Sequence, residues 1–300
     1  MDSTAGFLRT VIDRTRGYLD DPEIDAKYDD AFMVKHIISP SFASIASRIN
    51  NSSSQTITMW IPFPLTSGTA HYQLPPCVGE VWRIGERDDN LTVTREAVPR
   101  SEYHVRGMNW KVEGNTITFT PAPDQSYSDM ELQFMHNGEI APFVATGTLN
   151  ASKDTVTIAI SATPSLGIMD RRPSAYAGNI LRLLPTNGVV EERLIESWEV
   201  SGSNFVATVR LPFTNATAGS VTFEIAPYGL ESLYEAAAAA GALKLGTYRK
   251  ISGSHYQMIQ MQYRDAMKTA MDHFSNRQMR VPKYFERNTV DNKLSDWRNL

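Results

Sequence analysis

The periodicity of apolar residues changes at Gln55-Thr56-Ile57-Thr58-Met59-Trp60-Ile61, and this change indicates the fold class. β-Branched and aromatic residues are interleaved with polar ones within this stretch, as in a half-buried strand. Before it, apolar residues recur every three or four positions, which is typical of amphipathic helices. After it, short strand patterns continue to about Ala226, and the helical spacing returns at Leu230. The chain is therefore predicted to start and end in helices around a β-rich middle.

Two amphipathic helices are predicted before this stretch. The first covers residues 5–19 and stops at Asp20-Asp21-Pro22, because a residue before proline avoids helical geometry. The second runs from about Asp29 to Asn50, and Pro40 is expected to kink or split it. The apolar positions that these helices should bury include Phe7, Val11, Phe32 and Ile45.

Two further helices are predicted after the β region. The first begins at Leu230, and its alanine run 236–240 both favours helix and allows a neighbouring helix to approach closely. The second begins at Gly253-Ser254, where Ser254 and Gln257 fit a capping box. The positions expected to face the N-terminal helices include Leu233, Tyr234, Tyr263 and Phe274.

The β region reads as two modules. Gly114-Asn115 predicts a hairpin in the first, and Ser201-Gly202-Ser203-Asn204 predicts one in the second. The seam between the modules is placed near Ala141-Pro142-Phe143.

The predicted fold class is α+β: a discontinuous bundle of N- and C-terminal helices carrying inserted antiparallel β modules, each a small barrel or sandwich. Neither pair of helices can bury its apolar stripe alone, so the two ends of the chain should pack together. The predicted domains are residues 1–54 plus 228–280 for the helices, 55–143 for the first β module, 144–227 for the second, and 281–300 for an extended tail.

Composition and motifs indicate a non-enzymatic protein. With 42% hydrophobic and 21% charged residues the chain is globular over most of its length. Its six histidines follow no metal-binding spacing, Cys77 is its only cysteine, and no phosphate-binding or nucleophile-elbow motif is present. We therefore expect no catalytic residue, no cofactor and no metal. The start of the chain lacks a signal-peptide pattern and no apolar run could span a bilayer, so we expect synthesis in the cytoplasm and no membrane partner.

Charge is distributed unevenly along the chain. Residues 1–243 hold 18 Lys or Arg against 28 Asp or Glu, whereas residues 244–300 hold 11 against 5. The last fifth should therefore prefer an acidic partner. Its basic residues are dispersed and accompany no nucleic-acid-binding motif, so sequence-specific DNA binding is not expected.

A series of motifs in the first β module resembles a known family. Tyr72-Gln73-Leu74-Pro75-Pro76-Cys77-Val78-Gly79-Glu80-Val81 places an aromatic residue and Leu-Pro before a strand. Further along the chain come Tyr103-His104-Val105 and Trp110. They are followed by Glu113-Gly114-Asn115-Thr116-Ile117-Thr118-Phe119-Thr120-Pro121-Ala122-Pro123, and the series ends with Met130–Phe134. This order is similar to that of the head-to-tail adaptor, or head-completion, proteins of short-tailed bacteriophages.

Other parts of the chain extend the resemblance. Leu19-Asp20-Asp21 ends the first helix as in that family. The second module, with Gly147-Thr148-Leu149, Tyr176–Ile180 and Phe205–Pro212, resembles the immunoglobulin-like or small-barrel insertions of phage structural proteins. The resemblance implies a virion protein at the head–tail interface that forms a ring, usually of about twelve copies, between the portal and the tail or nozzle protein. Such a ring lines the conduit through which DNA passes during ejection.

The last twenty residues are predicted to be a docking tail. Aromatic anchors flanked by Arg and Lys are typical of interface hot spots, and we expect the tail to bind the portal. The residues expected to make this contact are Lys283, Tyr284, Phe285, Arg287, Trp297 and Arg298.

Two alternatives remain open. Within the same class, the chain could be a tube subunit or a fibre-attachment subunit of a phage tail. In a different class, Trp60, Trp82, Trp110 and Trp198 could make the β region a carbohydrate-binding module, although tryptophan in β-rich folds is more often part of the core.

Overall fold

Helices from the two ends of the chain lie against each other in the computed structural model, which describes residues 6–20, 28–52, 56–87, 93–99, 108–184 and 190–279. Helix α1 (Phe7–Gly17) packs against α4 (Tyr234–Arg249). Residues 236–239 of α4 are buried one after another, so this alanine-rich helix is enclosed on most sides. The predicted mixture of helix and strand is confirmed.

The helical segment just before Pro40 is a π-helix and not a regular α-helix. A short helix α2 (Asp30–Phe32), capped by the Asp29 side chain, leads into a π-helical segment over Met33–Ile38 and then into α3 (Ser39–Asn50). Proline has no N–H and its ring crowds the carbonyl one turn earlier, so the wider π turn makes room for Pro40 in the first turn of α3. The predicted kink is thus a π segment just before the proline.

The first β module is an open sheet that shares one core with the helices. Its strands lie in the order β1-β7-β3-β4-β5-β6-β2. The hairpin predicted at Gly114 joins β5 and β6, with Gly114 at φ 63°. The expectation of wholly antiparallel pairing is wrong at one place, since β4 and β5 are parallel. The strands are β1 (Thr58–Pro62), β2 (His71–Gln73), β3 (Val78–Arg87), β4 (Val93–Pro99), β5 (Asn109–Glu113), β6 (Thr116–Thr120) and β7 (Met130–His136).

The second β module is a six-stranded barrel. Its strands follow the order β8-β14-β11-β12-β13-β9, and β9 pairs back to β8 to close the barrel. The short β10 pairs with the outer edge of β8. The strands are β8 (Phe143–Leu149), β9 (Thr155–Ala159), β10 (Leu166–Gly167), β11 (Ile180–Leu183), β12 (Glu191–Ser201), β13 (Asn204–Val209) and β14 (Gly219–Ala226).

Side chains fill the barrel interior. Trp198 stacks on Phe205 with ring centroids 5.1 Å apart, and Tyr176 meets Trp198 edge-on at 4.7 Å. Phe143 belongs to this second core and pairs with Ile225, so the barrel begins one residue before the predicted boundary. The hairpin predicted around Gly202 joins β12 to β13.

The last described helix, α5 (Gly253–Met279), runs alongside α4. Its capping residue is Ser252 and not Ser254, because the Ser252 hydroxyl accepts the N–H of His255 at 3.4 Å and its carbonyl accepts that of Tyr256 at 2.9 Å. In the described part of the chain, no helix combines the length and apolar character needed to cross a bilayer.

Candidate interaction surfaces

The helical residues singled out from the sequence are not all equally buried. Phe7, Val11, Ile45, Leu233 and Phe274 are buried in the core shared with the first sheet, while Phe32, Tyr234 and Tyr263 are half-buried at its margin. The Phe7 ring lies 4.7 Å from that of Tyr234, which joins the two ends of the chain.

For Phe32, Tyr263 and Phe274 the structure shows neighbours beyond those expected. The Phe32 ring meets Tyr28 and His36 on its own segment. Helix α5, which carries Tyr263 and Phe274, packs mainly on α4 and on the 3-10 turn Glu231–Leu233. Tyr263 and Phe274 belong to the same apolar cluster as the N-terminal helices. Their direct packing against those helices stays a prediction.

A buried carboxylate attaches the helices to the barrel. Glu224 on β14 accepts the backbone N–H of Phe7 at 2.7 Å and that of Leu8 at 2.8 Å, so it caps the start of α1. Burial raises the pKa of Glu224, and the two amides with Arg182, 3.6 Å away, oppose that rise. Sequence reasoning missed this residue. In the sequence, an acidic residue between two apolar strand residues, Phe223-Glu224-Ile225, could have indicated a buried carboxylate.

Ion pairs tie the two β modules together. Arg210, just beyond β13, contacts Glu131 of β7 at 2.9 Å. Arg172 reaches Glu139, in the connection between the modules, at 2.8 Å and also pairs with Asp170. Exposed pairs contribute little individually, but two at one boundary favour a defined orientation of the modules.

A second carboxylate holds a loop of the barrel. Glu191 accepts the Thr214 hydroxyl at 2.6 Å and the backbone N–H groups of Thr214, Asn215 and Ala216 at 2.8–3.0 Å. Burial opposes ionisation of this carboxyl and is the largest single influence on it. The hydrogen bonds and Arg193 together outweigh burial and lower the pKa of Glu191 to about 2.

The clefts in the described structure are small, and its buried thiol and core imidazole are neutral. No group of three or more His, Cys, Asp or Glu side chains in them is placed to hold a metal ion. Two clefts beside Tyr176, at the boundary of the modules, have volumes of about 10 and 20 Å³, room for roughly one water molecule each. Burial raises the pKa of the Cys77 thiol to about 12 and lowers the pKa of the core His136 to about 4, so both side chains are neutral near pH 7.

The four tryptophans do not form an exposed platform together. Trp110 and Trp198 are buried, Trp60 is half-buried, and Trp82 has the most exposed side chain of the four. Carbohydrate stacking needs aromatic faces that are open to solvent. Trp82 alone approaches that condition.

The residues of the predicted docking tail lie outside the described residues: Lys283, Tyr284, Phe285, Arg287, Trp297 and Arg298.

Most of the positive charge in the last fifth of the chain belongs to residues that precede the predicted tail. Residues 244–280 carry seven Lys or Arg against two Asp, whereas residues 281–300 carry four against three. The segment that includes α5 is therefore the basic part, and the tail is nearly balanced.

Comparison with known proteins adds no relative. No protein-family model matches the chain, and no curated protein matches it.

Proposed function

We propose that the chain is a structural subunit of a tailed-phage virion, an adaptor that joins the portal to the tail and lines the DNA conduit. The observation that carries this proposal is the position of the chain's two ends. Helices α1 and α4, more than 200 residues apart in sequence, share one core with the first sheet. That is the arrangement that the resemblance to head-completion proteins implies.

In this proposal the N- and C-terminal helices act as one domain that carries the two β modules. The Phe7–Tyr234 contact and the ion pair from Arg14 to Glu235, at 2.6 Å, support it, since both join α1 to α4. The His255 ring also contacts the Tyr18 carbonyl at 2.7 Å, which links α5 to the end of α1. A domain that joins both ends of the chain suits a subunit that holds two larger assemblies in a fixed orientation.

The charge distribution is compatible with a conduit. The part of the chain before residue 244 carries ten more acidic than basic residues. A wall without dense Lys and Arg does not hold phosphates, so DNA could slide past it. Passing DNA would then be a partner without sequence-specific contacts.

Truncation tests the role of the tail. Removing residues 281–300 should leave the helices and both β modules folded, because both apolar cores and the closing strand pair of the barrel are built by earlier residues, but it should abolish binding to purified portal. Far-ultraviolet circular dichroism checks folding, and sedimentation with portal checks binding. Normal attachment of the truncated chain would contradict the proposed role of the tail.

Ionic strength provides a second readout in the same assay. Because the basic residues 244–280 should steer this association by their charge, portal binding should weaken from about 0.1 M to about 1 M salt, where the screening length falls from roughly 10 to 3 Å. Binding that does not change with salt would contradict the electrostatic part of the proposal. Assembly with isolated tail proteins and not with portal would favour a tube or fibre-attachment subunit.

A further inference from the structure

A row of three charged side chains crosses the outer face of the barrel. Strands β12, β11 and β14 are neighbours, and Arg182 on β11 lies in register with Glu192 on β12 and with Glu224 on β14. The Nε atom of Arg182 donates to Glu192 at 2.5 Å, whereas its Nη1 atom lies 3.6 Å from the Glu224 carboxylate. Two carboxylates therefore share one cation, and the cation is closer to Glu192.

Helix α1 covers the Glu224 end of this row and leaves the Glu192 end open. The Glu192 side chain is 41% exposed, whereas that of Glu224 has no exposed surface. The chain can approach Glu224 this closely because Gly6, just before α1, has no side chain, and a Cβ there would overlap the carboxylate. With α1 docked, an ionised Glu224 is stabilised by two amide donors and by a cation that another carboxylate holds more closely.

The other groups around Glu224 do not compensate its charge. Tyr234 on α4 packs on the first residue of α1, and burial raises the pKa of its phenol, so it is neutral near pH 7. Glu231, in the turn before α4, adds a negative charge near Tyr234. Among the described residues, Arg182 is the one cation that acts on Glu224. Burial of a charge with so little compensation favours the neutral form, in agreement with the raised pKa of Glu224.

We propose that docking of α1 onto the barrel takes up one proton at Glu224, because this row provides one cation for two carboxylates. With α1 docked, a protonated Glu224 carries no buried charge, and its carbonyl oxygen still accepts an amide of α1. With α1 undocked, the carboxyl faces water and ionises with its ordinary pKa of 4.5. The docked form therefore binds the proton more tightly, so docking is most favoured below about pH 4.5 and weakens as pH rises through the higher pKa of the docked form. This pH-sensitive joint is a property of the chain alone and goes beyond the proposed function.

A titration of the full chain by nuclear magnetic resonance, without portal, tests the proton uptake. The carboxyl carbon of Glu224, identified by its absence in Glu224→Gln, should titrate with a midpoint above 4.5. The amide signals of Phe7 and Leu8, whose N–H groups donate to this carboxyl, should follow the same midpoint. A midpoint at or below 4.5 overturns the proposal.

Amide hydrogen exchange tests the coupling of this proton to docking. After correction for the intrinsic pH dependence of exchange, the opening constant of the first turn of α1 should rise with pH by up to about tenfold per pH unit. It should level off above the midpoint of Glu224, and in Glu224→Gln it should not change with pH. An opening constant that is independent of pH in the wild type, or a pH dependence that persists in Glu224→Gln, overturns the proposal.

Two variants of the exposed barrel face test the shared cation without changing the buried residue. Glu192→Gln leaves Arg182 to Glu224 alone and should lower the Glu224 midpoint, while Glu199→Gln, at an exposed position on the same strand, should leave that midpoint unchanged. A midpoint that stays the same in Glu192→Gln, or falls equally in both variants, overturns the proposal. Because portal is absent, these outcomes are independent of whether the chain binds portal.

Discussion

Two carboxylates of the barrel, Glu191 and Glu224, are both removed from solvent but differ in how burial and hydrogen bonding balance. Glu191 accepts four hydrogen bonds from Thr214, Asn215 and Ala216, which are enough to keep it ionised. Glu224 accepts two, and burial prevails in raising its pKa. The balance between depth of burial, the donors that reach each carboxylate and the neighbouring Arg gives the direction of each pKa shift.

At the residue scale, Glu191→Gln should destabilise the protein by about 2 kcal/mol near pH 7, because charge-assisted hydrogen bonds to the 214–216 loop are lost. The pKa of Glu191 falls from its ordinary 4.5 to about 2 in the folded protein. Its contribution is therefore complete above about pH 4.5 and is lost as pH falls through about 2. Urea unfolding of both proteins at about pH 7 and about pH 3 measures the difference.

Glu199→Gln, at an exposed position on β12, is the control and should change stability little at either pH. A stability difference between wild type and Glu191→Gln that is as large at about pH 3 as at about pH 7 would contradict the assignment. It would mean that the ionised form of Glu191 does not hold the loop.

At the scale of elements, small residues decide how closely the helices pack. A Cβ added at Gly241 on α4 would lie 3.0 Å from the Ile37 side chain and 3.3 Å from that of Thr15. Both neighbours belong to N-terminal segments, one in the π-helical segment and the other in α1. Two N-terminal segments therefore approach α4 closely at Gly241, the residue that follows the alanine run.

Gly241→Leu should destabilise the protein by roughly 1–3 kcal/mol, since overpacking outweighs the gain in helix propensity. Gly17→Leu, at the exposed end of α1 where nothing lies within 4 Å of an added Cβ, should be neutral or slightly stabilising. Thermal unfolding of the two variants compares them directly. Equal stability of both variants would show that α4 does not need a small residue against α1.

At the scale of the whole molecule, the chain has two apolar cores. One joins the helices to the first sheet and the other fills the barrel. Glu224, Arg210 and Arg172 provide polar links between these bodies, and Glu224 is the most buried of the three. The mutual orientation of the two bodies should therefore depend strongly on Glu224.

Glu224→Ala should cost about 2–3 kcal/mol, because it leaves two buried N–H groups at the start of α1 without an acceptor. Amide hydrogen exchange should show reduced protection along α1 while β11–β13 of the barrel stay protected. Glu199→Ala, on the barrel surface, is the matched control and should alter neither region. Uniform loss of protection in both cores would show that the carboxylate supports the barrel itself and does not link it to the helices.

Periodicity and turn chemistry act between neighbours in the chain, so residue order alone predicts the helices, the two hairpins and a division of the β region. Gly114 and Gly202, for example, mark their turns with positive φ angles of 63° and 60°. The folded chain alone shows that β8 and β9 close a barrel, that β4 and β5 run parallel and that Glu224 caps α1. Each of these features depends on contacts between distant segments or on the path of the chain between them. Glu224 is an example, because burying a lone acid becomes favourable only when a distant helix supplies unpaired amides as hydrogen-bond donors.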